Sequence, residues 1–397
     1  MMWRKTAKLF SLVLLLLLGV VSANAAEKSV SDVKNLTLAQ AQEIALKNNL
    51  QIELAALGVE KAELALEQAN FAAQKMNKAI DNGMGKDQNA DWVINIVPKQ
   101  AQSGKTIAEI AVGYTENSIK YGVEAAYYGV LGAQKMLEVS QISYKRTQEQ
   151  LKQAQARFGA GTCAKVDVIS AEAQLKSAEA AVNNAETSLK AAKMNLNKTL
   201  NLNLDSPLKL AEQFTFDVAQ SIDINKTIKE MMEKDLTLVT AQEGYHISSL
   251  EYEYYKKYYT PNTFMYRDAA YKLKEAEVKL NNAKSELELN IRNAYWDLKT
   301  AEENYHVYSK SLEQGNEVHR LNKLRYQVGM ATIYDVLSTE AALKQAELGL
   351  LNALYNYNLA KAKFNYGVFL GSSGASSLAE QTIPAGSSGS GMSDQGV

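Results

Sequence analysis

The side chains of this sequence that could carry out chemistry do not form a pattern that catalysis requires. The three histidines, His246, His306 and His319, are scattered and lack a spacing suited to metal coordination. Ser103-Gly104-Lys105-Thr106 resembles the end of a phosphate-binding loop, but the required first glycine is replaced by Lys99. Neither a Gly-x-Ser-x-Gly nor a His-Glu-x-x-His motif occurs. We therefore predict no catalytic residue, no bound metal and no cofactor, and we do not expect an enzyme.

Two glycine turns are the best candidates for a functional site. Gly161 and Gly329 each separate two long helical stretches, and Asp167 and Asp335 stand near the start of the second stretch. Glycine tolerates the left-handed backbone of a tight helix reversal, and aspartate accepts hydrogen bonds from the first amides of a helix. These residues could serve only to reverse the chain, or they could form a binding surface. A turn can do both.

The two turns belong to two copies of one sequence module. Residues 118–202 align with residues 286–370 at a constant offset of 168, without a gap. The clearest part pairs Arg157-Phe158-Gly159-Ala160-Gly161 with Arg325-Tyr326-Gln327-Val328-Gly329. A duplication of this size predicts two copies of one structural unit in the chain.

Helices of the coiled-coil type must position these turns. The third long helix of copy one has apolar residues spaced alternately four and three apart, which predicts one packed neighbour: Ala171, Leu175, Ala178, Val182, Ala185, Leu189, Ala192 and Leu196. A second heptad of mostly small residues lies beside the first: Ala173, Ser177, Ala180, Asn184, Thr187, Ala191 and Met194. Two heptads suit a curved wall of helices, although periodicity alone leaves an antiparallel bundle open. The predicted fold class is all-α, with duplicated long antiparallel coiled-coil helices.

Composition excludes one class of partner and indicates export. The chain of 397 residues has 43 basic and 44 acidic side chains, so no basic excess exists to neutralise phosphates, and we expect no nucleic-acid partner. Residues 1–25 are predicted to be a secretory signal peptide, because basic residues precede an apolar run over residues 9–21 and an Ala-x-Ala site follows. The alternative is an uncleaved membrane anchor, for which the apolar run is short.

We expect four segments along the chain: the signal peptide of residues 1–25, helical repeat 1 over residues 26–202, helical repeat 2 over residues 203–370, and a disordered Gly/Ser-rich tail over residues 371–397. In each repeat an insertion separates the first two long helices. In repeat 1 the insertion includes residues 92–97 and is predicted to be an irregular loop that could contain one short strand. In repeat 2 it is little more than a turn at residues 258–262.

The duplicated Arg-Phe/Tyr-x-x-Gly-x5-Asp-Val pattern resembles the TolC-like outer-membrane efflux protein family, and so does the opening Leu-Thr-Leu-x-x-Ala pattern at residues 36–41. The resemblance covers residues 36–370. It implies a homotrimer whose long helices form an α-barrel that projects from the outer membrane into the periplasm. It also implies two partners, a periplasmic adaptor (membrane fusion) protein and an inner-membrane pump. The implied function is that of a passive conduit in a tripartite efflux or type I secretion system.

The resemblance further implies that the glycine turns form the periplasmic tip, where the adaptor docks. The residues that match this tip are Gly161, Thr162, Val166, Asp167, Gly329, Met330, Tyr334 and Asp335. A second group of residues flanks the short insertion of repeat 2: Tyr254, Tyr255, Tyr258 and Tyr259. Because tyrosine favours membrane–water interfaces, these side chains are expected either to touch lipid headgroups or to cap the end of the helical wall.

One feature departs from that family. Its members insert two transmembrane β-strands between the long helices of each repeat, and such a hairpin needs roughly 20–25 residues. Residues 76–104 show no convincing alternation of polar and apolar residues, and repeat 2 has no room. We therefore predict minimal or absent β-strands, with the β-barrel insertions reduced or missing. The alternative function is accordingly a non-conducting exported helical scaffold that binds an adaptor.

Overall fold

The structure is a computed structural model that describes residues 35–218 and 222–368. These residues form nine helices and no strand, apart from one isolated parallel bridge between Leu36 and Leu210. The predicted all-α class with minimal or absent β-strands is therefore confirmed for the described residues. The predicted signal peptide and the Gly/Ser-rich tail lie outside them.

The two copies have the same order of helices. Copy one contains α1 (Leu38–Asn48), α2 (Leu50–Asp81), α3 (Gln88–Asn95), α4 (Val97–Gly159) and α5 (Lys165–Thr199). Copy two contains α6 (Ile224–Met232), α7 (Leu236–Tyr258), α8 (Phe264–Gln327) and α9 (Ile333–Tyr366). The longest helices, α4 and α8, have 63 and 64 residues. At about 1.5 Å per residue each is about 95 Å long.

Short polar side chains fix the boundaries between these helices. Asn49 ends α1 and caps α2, where its side chain accepts a hydrogen bond from the Gln51 amide. In copy two the Asp235 carboxylate caps α7 and accepts from the Leu238 amide at 2.8 Å. Such caps satisfy amides that have no partner inside the helix. Both helix breaks are therefore encoded locally.

The insertion of repeat 1 corrects one prediction. The sequence predicts an irregular loop at residues 92–97, whereas the structure has helix α3 there and the start of α4. The Asp87 carboxylate accepts a hydrogen bond from the Ala90 amide and caps α3. Pro98 lies in the first turn of α4, where a missing amide hydrogen costs no helical bond. The loop is thus confined to residues 82–87, before α3.

The helices pack side by side as a wall with α4 at its centre. Helices α2 and α5 pack against α4, and so do α7 and α9. Helices α7 and α9 pack in turn against α8. This order places α2 and α5 at one edge of the wall and α8 at the other. The arrangement is therefore the wall that the paired heptads favour, and not a closed bundle.

The two heptads of α5 have different environments. Ala171, Ala178 and Ala185 of the first heptad are buried, because this face lies against α4. Alanine at these positions allows the two backbones to approach closely. Every residue of the second heptad, from Ala173 to Met194, is exposed. One of the two faces that the sequence pattern provides for a neighbour is thus uncovered in a single chain.

A buried cluster joins the ends of copy one halfway along the wall. Tyr127 of α4 is fully buried, and its hydroxyl donates a hydrogen bond of 2.9 Å to the carbonyl oxygen of Leu36. Leu208 and Phe214, from the segment that links the two copies, pack into the same cluster. The cluster therefore holds the chain start and the inter-copy link against the middle of α4.

We expect Tyr127→Phe to lower the free energy of unfolding by about 1 kcal/mol. The variant keeps the buried ring but loses the donor to Leu36. Urea unfolding followed by circular dichroism measures the change. Tyr334→Phe is the control, because Tyr334 is 74% exposed and its loss of a hydroxyl should leave stability unchanged. Equal stability of Tyr127→Phe and the unmodified protein would contradict the role given to this hydrogen bond.

Candidate functional site

The two predicted glycine turns have matching backbone geometry. Gly161 has φ +74° and Gly329 has φ +81°, both in the left-handed region. The Gly161 amide donates to the carbonyl of Phe158 at 2.9 Å, and the Gly329 amide donates to that of Tyr326 at 3.1 Å. A side chain with a β-carbon is strained at such φ values. Glycine at these positions is thus explained by the turn, as the sequence indicates.

An aspartate in the first turn caps each helix that follows a glycine turn, and in copy two a threonine assists it. The Asp335 carboxylate accepts hydrogen bonds from the Thr332 amide and hydroxyl, at 2.8 and 2.7 Å, and the Asp335 amide donates to the Thr332 hydroxyl. These bonds to Thr332 hold the pKa of the Asp335 carboxyl below its ordinary value. In copy one the Asp167 carboxylate accepts from the Ala164 amide at 3.1 Å. Both aspartates therefore have the capping role that the sequence predicts.

Large apolar side chains project from the two tips. Val166 is 62% exposed, Met330 is 81% exposed and Tyr334 is 74% exposed. Three further apolar residues of the tips are also exposed: Phe158, Ile169 and Val328. The eight predicted tip residues thus lie together on two hairpin ends, among apolar side chains that one chain leaves uncovered. Their role in docking an adaptor stays a prediction.

Arg157 ties the two tips together. Its guanidinium donates to the carbonyl oxygens of Tyr326 and Gln327, at 2.5 and 3.2 Å, and lies 3.9 Å from the centre of the Tyr326 ring. Carbonyls at a helix C-terminus carry partial negative charge, so a cation is stabilised there. The α4–α5 hairpin and the α8–α9 hairpin are therefore coupled at their ends. The sequence motif contains Arg157, but only the structure gives it this role.

A buried polar cluster joins α4 to α9 above the tips. Glu340 is only 1% exposed and accepts hydrogen bonds from the Ser143 hydroxyl and the Arg146 Nε, each at 3.0 Å. Arg146 also pairs with both carboxylate oxygens of Glu347, at 3.1 and 2.9 Å. Arg146 thus bridges two carboxylates of α9 from its position on α4.

Burial dominates the protonation of this cluster. It raises the pKa of Glu340, and the neighbouring Arg146 charge opposes that rise. Burial also lowers the pKa of His319 on α8, with the positive charges of Arg146 and Lys323 acting in the same direction. His319 Nε2 lies 3.5 Å from Glu340 Oε2, which accepts no hydrogen bond in the described part of the chain. The ionised Glu340 therefore depends on Arg146.

Sequence reasoning missed this cluster, although one signal was present. Glu340 stands at heptad spacing between Val336 and Leu343, and all three residues are buried. A carboxylate in a row of buried apolar positions needs a cationic partner. The sequence alone does not identify that partner, because Arg146 is nearly two hundred residues away along the chain.

The tyrosines at the other end of the wall hold α3 against α7. Tyr254 is buried, its hydroxyl donates to the carbonyl of Gln88 at 2.7 Å, and its ring packs on Trp92. Tyr255 also lies against Trp92, and the Tyr259 hydroxyl donates to the Gln88 side chain. Tyr258 is the most exposed of the four. Contact with lipid headgroups stays a prediction for these residues.

The described residues include no candidate for a membrane-spanning helix and no candidate metal site. None of their helices has the length and apolar character that crossing a membrane requires. No group of three or more His, Cys, Asp or Glu side chains in residues 35–218 and 222–368 is arranged to hold a metal ion.

The repeated long hairpins agree with one family of proteins. The model of the family described as outer membrane efflux protein matches residues 100–202 and 262–364, one segment in each copy and together just over half of the chain. The chain belongs to the outer membrane efflux protein family. The predicted TolC-like resemblance is thus confirmed. This is a family of channels and not of enzymes.

Solved structures of channels share the fold of this family member. The Campylobacter jejuni CmeC outer membrane channel is 16% identical, with a TM-score of 0.66 over 87% of this chain and 89% of its own. The outer membrane protein VceC from Vibrio cholerae is 14% identical, with a TM-score of 0.66 over 84% of this chain and 96% of its own. The Neisseria gonorrhoeae MtrE outer membrane channel is 16% identical, with a TM-score of 0.60 over 83% and 88%.

These identities establish a shared fold and nothing finer. No curated protein matches the sequence. Membership in the family supports a location in the outer membrane.

We expect Arg146→Met to lower the free energy of unfolding by about 3 kcal/mol at neutral pH, because it leaves the buried Glu340 carboxylate without its cation. Without Arg146 the pKa of Glu340 should rise further above its ordinary value of 4.5. The free energy of unfolding of the variant should then fall as the pH rises from 4.5 through the raised pKa of Glu340, and it should recover on acidification. Urea unfolding at about pH 5 and about pH 8 measures this dependence.

Arg292→Met is the matched control. Arg292 on α8 pairs with Glu288 one turn away, and both side chains are more than 40% exposed. Exposed pairs of this kind contribute little to stability. Arg292→Met should therefore leave the free energy of unfolding unchanged at both pH values. If Arg146→Met behaves like this control, the cluster is not a buried ion pair.

Proposed function

We propose that this chain is the conduit component of a tripartite efflux or type I secretion system. In this proposal it forms a homotrimeric helical tube at the outer membrane and docks a periplasmic adaptor at its glycine-turn tip, with an inner-membrane pump as the motive partner. The observation that best supports the proposal is that the surface joining the two copies within the chain occurs again, uncovered, at the two edges of the wall.

The joint between the copies is a contact of α4 with α9. Ser143 and Arg146 on α4 bond to Glu340 and Glu347 on α9. The repeat offset places an equivalent residue at each of the four positions, and all four are exposed: Ser311 and Gln314 on α8, and Glu172 and Glu179 on α5. Helix α8 of one chain therefore carries the donors, and α5 of another carries the acceptors, for a second joint of the same kind.

Repetition of this joint between chains produces a ring. A contact between two different surfaces of identical chains is heterologous, and it closes into a ring when the rotation allows. The exposed heptad of α5, with small residues, offers a close-packing face for α8. On α8, Leu289 and Trp296 are 57% and 63% exposed. Three chains would then bring six copies of the module around one axis.

Helix α2 extends the same edge away from the tip. The side of α2 that carries the buried residues Ala69 and Ala73 faces α4. Its other side exposes five apolar residues at heptad spacing: Leu50, Leu54, Leu57, Leu64 and Phe71. An exposed apolar stripe of this length indicates a helical partner. In the proposed trimer that partner is the first half of α8 from the next chain, where Tyr271 and Val278 are exposed.

The tip supplies the docking rim in this proposal. Exposed apolar residues such as Met330 and Tyr334 stand beside capped helix ends that fix their direction. Interfaces favour large apolar and aromatic side chains on a rigid support. An adaptor that packs on the two hairpin ends would cover these residues.

The experiment that tests the proposal measures mass and conduction on the mature protein. Light scattering with and without detergent gives the oligomeric state, and a planar lipid bilayer gives the conductance. A trimer with discrete conductance steps supports the conduit. A trimer without conductance at any protein concentration supports the non-conducting scaffold that binds an adaptor. A monomer under every condition overturns the ring.

We expect Gly161→Val and Gly329→Val, made together, to abolish adaptor binding without changing helical content. A β-branched residue is strained at the left-handed φ of both turns, so the tips must change shape while the long helices persist. Binding of the host's periplasmic adaptor to the immobilised protein, together with circular dichroism, measures both effects.

Gly85→Val is the control for this pair. Gly85 lies in the loop before α3, at the far end of the wall, and a β-carbon there has open space and no left-handed φ. Adaptor binding should be unchanged in the control. Undiminished binding in the double tip variant would remove the docking role from the glycine turns.

A further inference from the structure

The tip contact made by Arg157 has an unused counterpart one repeat later. The offset of 168 places Arg325 at the position of Arg157, and it places Phe158 and Gly159 at the positions of Tyr326 and Gln327. Arg157 binds Tyr326 and Gln327 within the chain. An equivalent contact would join Arg325 to Phe158 and Gly159.

The two tips have the same acceptors but different occupancy. The carbonyl of Tyr326 accepts from the Gly329 amide and from Arg157, whereas that of Phe158 accepts from the Gly161 amide. Tyr326, which packs against Ile333 and Val336 and lies under the Arg157 guanidinium, is 4% exposed, and the equivalent residue Phe158 is 46% exposed. The tip of copy one thus has an exposed Phe158 ring and a Phe158 carbonyl oxygen that accepts no hydrogen bond from an arginine. At the tip of copy two, Arg157 occupies both equivalent positions.

Arg325 is the donor without a partner. Its side chain is exposed, and in the part of the chain that the structure describes the guanidinium makes no hydrogen bond or ion pair. The amides of Thr162 and Met330 donate to the carbonyls of Arg157 and Arg325, at 2.9 and 2.8 Å. The backbone around the two arginines is therefore alike, and Arg325 leaves its helix end in the same local frame as Arg157.

We infer that Arg325 of each chain binds the copy-one tip of the next chain, with its guanidinium over the Phe158 ring and donating to the carbonyls of Phe158 and Gly159. This inference rests on the ring proposed above. It adds the contact that closes the tip: Arg157 joins hairpins within a chain and Arg325 joins them between chains. The partner is a second copy of this chain, and the chemistry is an arginine on a helix C-terminus and an aromatic face.

Chemical cross-linking tests the contact directly. In a Cys163→Ser background, which has no other thiol, the pair Arg325→Cys and Gly159→Cys is treated with a bismaleimide about as long as an arginine side chain. A β-carbon at Gly159 meets no atom within 4 Å, so the cysteine fits. We expect covalent dimers and trimers on a denaturing gel.

Two controls make this result specific. The matched pair Arg157→Cys and Gln327→Cys should give only a cross-linked monomer, because the same contact lies within one chain. Arg325→Cys alone should give no covalent oligomer, which excludes links between equivalent residues near the axis. If light scattering shows a trimer and the control pair reacts, but the Arg325/Gly159 pair gives no oligomer, the inference is wrong and the ring stands. If no trimer forms, both the proposed ring and the inferred Arg325 contact are wrong.

A second experiment distinguishes Arg325 from Arg157 by comparing the melting temperature of the monomer and the dissociation constant of the trimer in the two variants. Arg325→Met should leave the melting temperature of the dilute monomer unchanged and raise the dissociation constant of the trimer about tenfold or more. Arg157→Met should lower the melting temperature of the monomer, because its contact is internal. An unchanged trimer dissociation constant for Arg325→Met would overturn the inference even if cross-linking succeeds through mere proximity.

Discussion

The structure depends on long helices that each need a neighbour on two sides. An α-helix with two adjacent heptads cannot bury both within one antiparallel pair, so pairs must line up into a wall. Alanine on the buried side, as at Ala171 and Ala178 of α5, lets the backbones come close, and few other side chains would fit there. A wall has edges, and at the edges the second heptad stays open. The exposed faces of α5 and α8 are direct results of this constraint.

Duplication provides the residues of this joint twice, with different chemistry in the two copies. Within the chain, Arg146 bridges the carboxylates of Glu340 and Glu347. At the open edge the residue in the place of Arg146 is Gln314, so the joint proposed between chains would offer only neutral donors to Glu172 and Glu179. A charge-assisted contact is stronger than a neutral one. The internal joint is therefore the firmer one, and a contact between chains that uses the open edge is the weaker and more adjustable one.

A buried carboxylate in a coiled-coil position is a costly way to join two helices. Replacing such an ion pair by apolar residues often leaves stability unchanged or increases it, whereas removal of one partner is strongly destabilising. On α4 the buried residues next to Ser143 are small or polar: Ser140, Thr147, Gln150 and Ala154. We take as a hypothesis that Glu340 fixes the register, since only one position of α4 presents both Ser143 and Arg146 to it. A heptad-shifted species in an Arg146 and Glu340 double variant would support this view, and a unique native register would count against it.

The sequence by itself determined the all-α class, the duplicated helix order, the glycine reversals and the aspartate caps. These features follow from local periodicity and from backbone geometry that only glycine adopts easily, so neighbouring residues contain the information. It did not determine helix α3, because an Asp87 cap and an apolar run of six residues also fit a loop or strand. Only the tertiary structure decided that Arg157 crosses to the other tip, that Arg146 meets Glu340, and that one heptad of α5 stays open. Each of these depends on which helices become neighbours, and residues more than a hundred positions apart leave no periodic trace of that choice in a single chain.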